Sequence, residues 1–379
     1  MTRVLVLGAG FGGIATAVAL RAQLRPADEV VLVDRHDDFV MGLRKTWAIL
    51  GISPIAYGTR SLPSLRRSGI TFVQGEIEEI DPTARTARVD GVTYDADALV
   101  VALGAARALD SVPGLAEHGL SAWDHTGLDH VHGMVDGFRG GRVVVGIFGA
   151  PYSCPPAPFE LAMLLSERLL ARGIEAQISL FGPAPIVLPI LGAAGCAVID
   201  GSLAERGIEY LGGTTAAEVT SDAVLLADGS RLPFDLLLAV PPHRCPGLLV
   251  EAGLAPAGGW VKVDPRTLET GHPDVYALGD ATAIILANGL PLPKAGLFAE
   301  REGEVIASRI AAKVLGGEPS ATFDGRGACF IEVGNGEAAT IRGDFFADPP
   351  EVTLSEPSAQ QRADKERFEL DRLERWFGG

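Results

Sequence analysis

Residues 3–13 read RVLVLGAGFGG, an apolar run that leads directly into a GxGxxG motif. The three motif glycines, Gly8, Gly10 and Gly13, stand where a strand would turn into a helix. Glycine there permits a tight turn and close approach of a pyrophosphate to the helix N-terminus. The next apolar run, EVVLVD, ends in Asp34, whose carboxylate can accept hydrogen bonds from a ribose. Together these features predict an adenine dinucleotide site.

Beyond this corner, the chain keeps alternating strand-like and helical patterns. A helix is predicted from about Gly12 to Gln23, and apolar runs recur as ALVVALG, RVVVGIFG, AQISLF and DLLLAV. This alternation is typical of parallel sheets with crossover helices. Two segments, 75–97 and 216–235, interrupt it, and each is interpreted as three short strands joined by turns. We predict an α/β fold with two intertwined Rossmann-like domains, each carrying a three-stranded β insertion, and a C-terminal region.

The composition excludes several classes of protein. Of 379 residues, 47% are hydrophobic and 21% are charged, which is typical of a globular chain rather than a disordered or fibrous one. The formal net charge is -16, so a phosphate backbone would be repelled and nucleic acid is not an expected partner. Because the N-terminus runs straight into a strand, without the features of a signal peptide, we expect a cytoplasmic protein.

Two apolar segments are candidates for membrane contact. The stretch Ala176–Ile199 carries no charged residue, but its prolines and glycines favour a buried strand followed by a loop over a membrane span. The last fifteen residues place a helical apolar stripe among charges, formed by Phe368, Leu370, Leu373, Trp376 and Phe377. Such a stripe more often docks on its own domain or on a subunit. We therefore expect at most peripheral contact, on the inner face of the membrane, and leave homo-oligomer formation open.

The histidines and cysteines include candidate metal ligands. His125, His130 and His132 could hold a metal, but no fourth ligand is evident, and a polar loop or helix start is favoured. The four cysteines contain no CxxC pair, so neither a zinc site nor a secreted disulfide framework is predicted. Cys196 and Cys245 lie in apolar or proline-rich surroundings and are interpreted as small buried hydrophobic residues.

The segments YDADALVVALG (94–104) and TGHPDVYALGDAT (270–282), with the N-terminal motif, resemble the FAD-binding elements of the flavoprotein disulfide reductase superfamily. The resemblance implies noncovalent FAD and a role for Asp280 in holding its ribityl chain. Lys294 precedes a predicted helix whose N-terminus would point at the flavin pyrimidine ring; the alternative is a solvated surface lysine. The predicted cofactor-binding residues are Gly8, Gly10, Phe11, Gly12, Gly13, Asp34, Arg35, Lys45, Ile77, Ala102, Gly104, Gly279, Asp280, Lys294 and Ala295. In this superfamily the segment that here contains Arg44, Lys45 and Trp47 passes near the isoalloxazine.

A pyridine-nucleotide-dependent member of the superfamily would carry a second glycine fingerprint in its second half. Here the strand RVVVGIFG is followed by Gly149 and APYSC, without the GxGxxG spacing. The next strand ends in Phe181 and Gly182, where a ribose-binding acid would be expected. These departures disfavour direct use of NADH.

The segment 149–165, GAPYSCPPAPFELAMLL, resembles that of sulfide:quinone oxidoreductases and of the flavoprotein subunit of flavocytochrome c sulfide dehydrogenase. The resemblance implies that Cys154 pairs with Cys329 beside the flavin and that Glu160 lies near the redox centre. Two features depart from the quinone reductases. No cysteine precedes Cys154, and Ala193 stands where those enzymes carry a histidine. The electron acceptor therefore stays open.

If the pair exists, the fold must bring two distant cysteines close together. Cys154 is expected to start the helix PAPFELAMLLSERLL, whose N-terminus would lower the pKa of its thiol. Cys329 is expected on the strand ACFIEV, facing the same side of the flavin. The simpler alternative is two unconnected cysteines.

These features lead to one principal hypothesis and two alternatives. The principal one is an FAD enzyme in which sulfide, or a related sulfur nucleophile, attacks a Cys154–Cys329 disulfide and electrons pass through flavin to a quinone or a soluble acceptor. The first alternative is a flavin NAD(P)H dehydrogenase, and the second is a noncatalytic flavin-binding sensor or assembly subunit. The predicted FAD-binding domain comprises 1–110 and 245–315, the second Rossmann-like domain 111–244, and the C-terminal region with Cys329 316–379.

Overall fold

A computed structural model describes residues 1–124 and 126–378 of the chain. The strands of the first third are β1 Arg3–Leu7, β2 Glu29–Asp34, β3 Asp38–Val40, β4 Thr59–Ser61, β5 Thr71–Gln74, β6 Ile77–Asp81, β7 Thr86–Val89, β8 Val92–Asp95, β9 Ala98–Val101, β10 Ala106–Arg107 and β11 Leu120–Ser121. The remaining strands are β12 Gly141–Ile147, β13 Ala176–Gly182, β14 Glu209–Gly212, β15 Ala216–Val219, β16 Ala223–Leu226, β17 Arg231–Pro233, β18 Leu236–Val240, β19 His243–Arg244, β20 Val275–Ala277, β21 Arg326–Gly334, β22 Glu337–Asp344 and β23 Glu351–Leu354.

Helices connect and cover these strands. The α-helices are α1 Phe11–Gln23, α2 Arg44–Ile49, α3 Leu115–His118, α4 Leu128–Gly137, α5 Ala157–Ala171, α6 Gly192–Ala204, α7 Gly247–Glu251, α8 Gly296–Val314 and α9 Ala359–Phe377. Short 3₁₀ helices span Ile55–Gly58, Leu62–Ser68, Leu109–Ser111, Pro189–Leu191 and Gly279–Ala281.

Two five-stranded parallel sheets form the centre of the protein. The first has the order β20-β9-β1-β2-β5, so a strand from residues 275–277 closes a sheet begun at the N-terminus. The second has the order β11-β18-β12-β13-β14. The central strands are almost wholly buried, as parallel strands covered by helices on both faces must be. The predicted α/β fold with two Rossmann-like sheets is confirmed.

Three antiparallel sheets of three strands each add to this frame. Two of them, β6-β7-β8 and β15-β16-β17, are the strand triplets predicted for 75–97 and 216–235. The third, β21-β22-β23, comes from the C-terminal region and carries Cys329 on β21. Small two-stranded sheets pair β3 with β4 and β10 with β19. The domain boundaries given above stay a prediction.

The first and eighth helices pack closely enough to require glycine. A Cβ at Gly303 on α8 would lie 2.5 Å from Thr16 Oγ1 and 2.7 Å from the Gly12 carbonyl oxygen on α1. A Cβ at Gly12 would lie 2.0 Å from Leu278 Cδ1. No side chain fits in these gaps, so the N-termini of α1 and α8 come together at the same edge of the first sheet.

The C-terminal helix α9 docks on the N-terminal part of the chain. Leu373 and Trp376 are buried, and the Trp376 ring makes edge contacts with Phe11 and Phe39 at centroid distances of 5.3 and 5.7 Å. Most of the predicted apolar stripe thus packs within the protein, whereas Leu370 is 58% exposed. Within residues 1–124 and 126–378, none of the helices combines the length and the apolarity that a bilayer crossing requires.

Candidate functional site

A cavity of about 370 Å³ lies between the first parallel sheet, the second parallel sheet and β21. Its walls come from the N-termini of α1, α5 and α8, from the turn after β9 and from the C-terminal helix. The predicted site residues among its lining are Gly10, Phe11, Gly12, Lys45, Ala102, Gly104, Cys154, Glu160, Gly279, Asp280, Ala295 and Cys329. Residues from seven separate segments of the chain therefore converge on one space.

The glycine motif forms the corner of the cavity nearest the N-terminus. Gly8 has a φ of 100°, and a Cβ there would lie 2.4 Å from the carbonyl oxygen of Ala102. A Cβ at Gly13 would lie 1.8 Å from the Gly8 carbonyl oxygen. Gly10, in contrast, faces open space and is the N-cap of α1, with no side chain capping the helix. Two motif glycines allow the tight turn, and the third leaves the helix N-terminus open to the cavity.

A buried charged group lies at the N-terminus of α8. Lys294 Nζ donates to the carbonyl oxygens of Asp280 at 2.6 Å and Thr282 at 3.1 Å and lies 3.4 Å from the ring centroid of Trp260. Lys294 is 8% exposed, so the alternative of a solvated surface lysine is wrong. It lines a small pocket beside the main cavity. Burial lowers its pKa to about 8.

Two carboxyl groups beside Lys294 are also shifted by burial. Burial raises the pKa of Asp280, whose carboxylate lines the cavity and makes no hydrogen bond to any described residue. Glu302 on α8 accepts a hydrogen bond from the backbone N–H of Gly279 at 2.6 Å. Burial raises the pKa of Glu302 to about 7. Asp280 thus presents free acceptor oxygens to the cavity, and Glu302 supports the turn that carries it.

The structure brings Cys154 and Cys329 together. Both line the cavity, and each thiol is the principal influence on the pKa of the other. All four cysteines are free thiols, and no disulfide joins this pair. The role of the two residues as a redox pair stays a prediction.

The sequence predicts a lowered pKa for the Cys154 thiol, and this prediction is wrong because the pKa is raised. Helix α5 begins at Ala157, after the cysteine, and the backbone of Cys154 is left-handed, with a φ of 56°. Interaction with the neighbouring Cys329 thiol, followed by burial, raises the pKa of the Cys154 thiol. The same interaction lowers the pKa of Cys329, so Cys329 is the member of the pair that more readily carries the thiolate charge.

A buried ion-pair network lies behind the two thiols. Lys365 on α9 donates to Glu160 Oε1 at 2.7 Å and to Glu332 Oε1 at 2.8 Å, and all three side chains are buried. Burial alone would lower the pKa of Lys365, but the two carboxylates outweigh it and raise the value to about 12. Burial raises the pKa of Glu160. That of Glu332 is lowered despite its burial, because Lys365 and Arg362 bind it.

Several predicted residues lie outside the cavity lining. Gly8 and Gly13 lie in the tight backbone turn behind the cavity wall. The Asp34 carboxylate accepts hydrogen bonds from the backbone N–H of Ala9 at 2.7 Å and from that of His36 at 2.9 Å. Arg35 makes an exposed ion pair with Glu76, and Ile77 packs in an apolar cluster. Roles in cofactor binding for Asp34, Arg35 and Ile77 stay predictions.

The segment after β3 contributes only partly to the site. Lys45 lines the cavity, whereas Trp47 is buried and donates to Glu332. Arg44 is buried in an ion pair with Glu369. Of Arg44, Lys45 and Trp47, Lys45 is the one that lines the cavity, so the predicted contact of this segment with a flavin now rests on Lys45.

The remaining histidines and cysteines have ordinary structural positions. His130 and His132 lie on helix α4, while His125 lies outside the described residues. Within the described chain, no group of three or more histidines, cysteines and carboxylates is arranged to hold a metal ion. Cys196 is buried and donates to the Val187 carbonyl oxygen at 2.9 Å, as expected for a small core residue. Cys245 is half-buried.

Sequence reasoning missed an aromatic and cationic wall of the cavity. Phe330 and Phe368 meet edge to face at a centroid distance of 5.6 Å, and Lys365 lines the same cavity. Arg107 and Trp123 also line the cavity. Lys365 and Phe368 are three positions apart in the sequence, and on a helix this spacing indicates that both side chains lie on the same face.

The second parallel sheet has aromatic rings where a dinucleotide turn would need room. Phe148 and Phe181 pack edge to face at 5.2 Å. A Cβ at Gly146 would lie 2.6 Å from both rings. The carboxyl end of β12 is thus filled by side chains, in agreement with the missing second glycine fingerprint.

Comparison with known proteins gives the family. The sequence matches the pyridine nucleotide-disulphide oxidoreductase family over residues 2–303. The chain belongs to this family. Sulfide:quinone oxidoreductase from mitochondria of Mus musculus is 25% identical over 372 residues, 92% of this chain and 79% of that protein. A type II NADH:quinone oxidoreductase of Staphylococcus aureus is 24% identical over 348 residues, 85% of each protein.

Solved structures show the same fold. The sulfide:quinone oxidoreductase from Aquifex aeolicus superposes with a TM-score of 0.91 at 23% identity, covering 100% of this chain and 92% of that one. NDH2 from Plasmodium falciparum in complex with NADH gives a TM-score of 0.78 at 13% identity, covering 100% and 96%. The family resemblance inferred from the sequence is confirmed.

The protein is an FAD-dependent flavoprotein oxidoreductase, similar to sulfide:quinone oxidoreductases, and its family binds FAD noncovalently. The cavity fits this cofactor. The uncapped N-terminus of α1 would offer free backbone N–H groups to a pyrophosphate, and Gly10 would leave room for it. The carboxylate of Asp280, which has no hydrogen-bond partner among the described residues, would offer acceptors to sugar hydroxyls, and α8 begins at the cavity without a side-chain cap.

Proposed function

We propose that this protein oxidises sulfide, or a related sulfur species, through Cys154 and Cys329 and passes the electrons through FAD to a quinone or a soluble acceptor. One observation carries the proposal: two cysteines 175 residues apart line the same cavity as the glycine turn and Asp280, and each thiol strongly influences the pKa of the other. The sulfide:quinone oxidoreductase relatives also support it.

In the oxidised protein the two cysteines form a disulfide, which a sulfur nucleophile attacks. A new S–S bond forms to one cysteine, the Cys154–Cys329 bond breaks, and the other cysteine leaves as a thiolate. The attacking sulfur is thereby held as a persulfide. When bound, FAD would supply the two-electron acceptor that allows the free thiolate to bond to the outer sulfur of the persulfide as that sulfur loses its proton, and the two electrons would then be available to the final acceptor.

The surrounding side chains have defined parts in this scheme. The partner thiol and burial have the larger effects on the two cysteines, but the charge of Lys365 opposes the rise in the pKa of Cys154 and adds to the fall in that of Cys329, so it favours the thiolate of either one. Glu160 and Glu332 hold the lysine in place, at 2.7 and 2.8 Å. Because burial raises the pKa of Glu160, this carboxyl is the member of the network best suited to take up a proton.

The acceptor side of the proposal concerns the aromatic wall. The rings of Phe330 and Phe368 line the cavity with Ala328 and Cys329. The apolar surface of these two rings suits the apolar ring of a quinone better than it suits a charged carrier. A soluble acceptor remains the alternative for this half of the reaction.

Two alternatives would give different flavin chemistry. The type II NADH:quinone oxidoreductase relative supports an NAD(P)H dehydrogenase. The Phe148–Phe181 packing in the second sheet argues against it. A flavin-binding sensor or assembly subunit would bind FAD without turnover.

One anaerobic experiment separates the three functions. Purified holoprotein is mixed with sulfide or with NADH, and the flavin absorbance is followed in a stopped-flow instrument. We expect rapid bleaching by sulfide only. Bleaching by NADH alone would favour the dehydrogenase, and no reduction by either donor would favour the sensor. Reoxidation by a soluble quinone, compared with a protein carrier such as a cytochrome, then identifies the acceptor.

A further inference from the structure

Two cations converge on one backbone carbonyl in the cavity wall. Lys45 Nζ donates to the carbonyl oxygens of Trp123 at 3.3 Å and Asp124 at 2.8 Å. A terminal nitrogen of Arg107 donates to the same Trp123 oxygen at 2.8 Å. Lys45, Arg107 and Trp123 all line the cavity. Two positive charges thus lie next to each other, on separate segments of the chain.

Among residues 1–124 and 126–378, a single carboxylate forms an ion pair with either cation. Asp124 is an ion-pair partner of Arg107, at 3.9 Å between Oδ1 and Nε. The Arg107 Nε is buried and makes no hydrogen bond to any described residue. Burial, together with the neighbouring Arg107 charge, lowers the pKa of Lys45 to about 8. An anion bound between the two side chains would relieve their repulsion and supply the missing acceptor.

The cation pair is linked to the proposed redox centre. Trp123, which accepts from both cations through its carbonyl, donates through its indole Nε1 to the Ser153 carbonyl oxygen at 2.8 Å. Ser153 directly precedes Cys154, and both line the cavity. The Ser153 hydroxyl is hydrogen-bonded to the buried His243 at 3.0 Å. A short chain of hydrogen bonds therefore fixes the position of the cations relative to Cys154.

We propose that Lys45 and Arg107 form a subsite for a small monovalent sulfur anion, such as hydrosulfide or a compact thiolate. This inference rests on the proposed function, since it names the ionised form of the nucleophile that attacks the Cys154–Cys329 pair. The thiolate form is the reactive one, and neutral hydrogen sulfide would gain little from the two charges. A local positive site also offsets the repulsion of anions by a chain with a net charge of -16.

Paired alkylating reagents test the subsite without any turnover. Iodoacetate and iodoacetamide both alkylate a thiolate, forming an S–C bond and releasing iodide, but only iodoacetate is an anion. The reduced holoprotein is treated with each reagent, and the rates at Cys154, Cys329 and Cys245 are resolved by peptide mass spectrometry. We expect the iodoacetate-to-iodoacetamide rate ratio at the pair to exceed that at Cys245.

Substitution of the cations should then remove the preference. Lys45→Met or Arg107→Met is expected to lower the ratio at the pair by about tenfold, because electrostatic attraction of an anion is lost. The ratio at Cys245 serves as an internal reference. Lys262→Met removes an exposed lysine outside the cavity and should change neither ratio. Lys45→Arg keeps the charge and should keep the preference.

Flavin content, measured by absorbance, completes the experiment. We expect Arg107→Met, which removes the cation that is not among the predicted cofactor-binding residues, to retain FAD. An unchanged ratio in both variants would overturn the subsite, and loss of FAD from Arg107→Met would overturn it by assigning this cation to cofactor binding. Failure of sulfide to reduce the wild-type flavin would instead overturn the proposed function, so the two failures are distinguishable.

Discussion

Lys365 and Glu160 are 205 residues apart in the sequence, yet the lysine Nζ lies 2.7 Å from the carboxylate Oε1, with both side chains buried behind the two thiols. The contact joins the C-terminal helix to the helix that follows Cys154. A buried charge that loses its partner is strongly destabilising, because nothing else compensates its desolvation. Because of this ion pair, the geometry of the site depends on the docking of α9.

The first prediction concerns this network. Lys365→Met should lower the free energy of unfolding by about 3 to 5 kcal/mol, since Glu160 and Glu332 are left together without a cation. Glu160→Gln should cost less, because Lys365 keeps Glu332 as its partner. Urea denaturation of the holoprotein measures both. Lys262→Met, at an exposed lysine, is the control, and an equal loss in that variant would refute the role of the network.

The second prediction concerns the thiols. Cys154→Ser and Cys329→Ser should each retain FAD but lose sulfide-driven flavin reduction to background, because neither variant can form the disulfide. Cys196→Ser is the matched control, since serine can keep the hydrogen bond to the Val187 carbonyl oxygen. Stopped-flow absorbance reports the reduction rate. Wild-type rates in the two former variants would remove the basis for the sulfide assignment.

A third prediction follows from the buried carboxyl of Glu302. Its pKa is raised to about 7 in the folded protein, above the usual value of 4.5, so folding favours the protonated form. The stabilising contribution is complete below pH 4.5 and is lost as the pH rises through 7, to a total of about 3 kcal/mol. Glu302→Gln keeps an acceptor for the Gly279 N–H and should abolish this loss. Denaturation curves between pH 5 and 8 for both proteins test it, and parallel pH profiles would contradict it.

The fourth prediction concerns the docking of the C-terminal helix. Trp376→Ala should destabilise the protein by about 3 to 5 kcal/mol, because the buried ring packs against Phe11 and Phe39. Leu370→Ala on the same helix removes an exposed side chain and should have little effect. Chemical denaturation compares the two. Equal stabilities would show that the helix does not dock through this ring.

The fifth prediction concerns cofactor attachment. Acid precipitation of the purified protein should release all FAD into the supernatant, because the chain has no cysteine or histidine in an attachment motif next to its flavin-binding segments. Absorbance of supernatant and pellet measures the distribution. Yellow colour that stays with the denatured pellet would indicate a covalent bond.

Much of the fold could be predicted because it is encoded locally. The runs that form β1, β2, β9, β12, β13 and β18 are short and almost wholly apolar, as buried parallel strands require. The glycine motif at Gly8, Gly10 and Gly13 is local as well, since its spacing lies within six residues, although the close approach that Gly8 permits is to Ala102, which follows a separate strand. Asp280 was found through a resemblance to known flavoproteins, and not through any local rule.

The amino-acid sequence by itself determined the two parallel sheets, their strand triplets and the cofactor-binding corner, because periodicity and glycine spacing act over a few residues. Only the tertiary structure decided the pKa values and the ion-pair partners of the buried groups. The pKa of Cys154 is raised by Cys329, and Lys365 finds its carboxylates on α5 and β21. These shifts arise from burial and from neighbours distant in the sequence, so no local pattern could predict them.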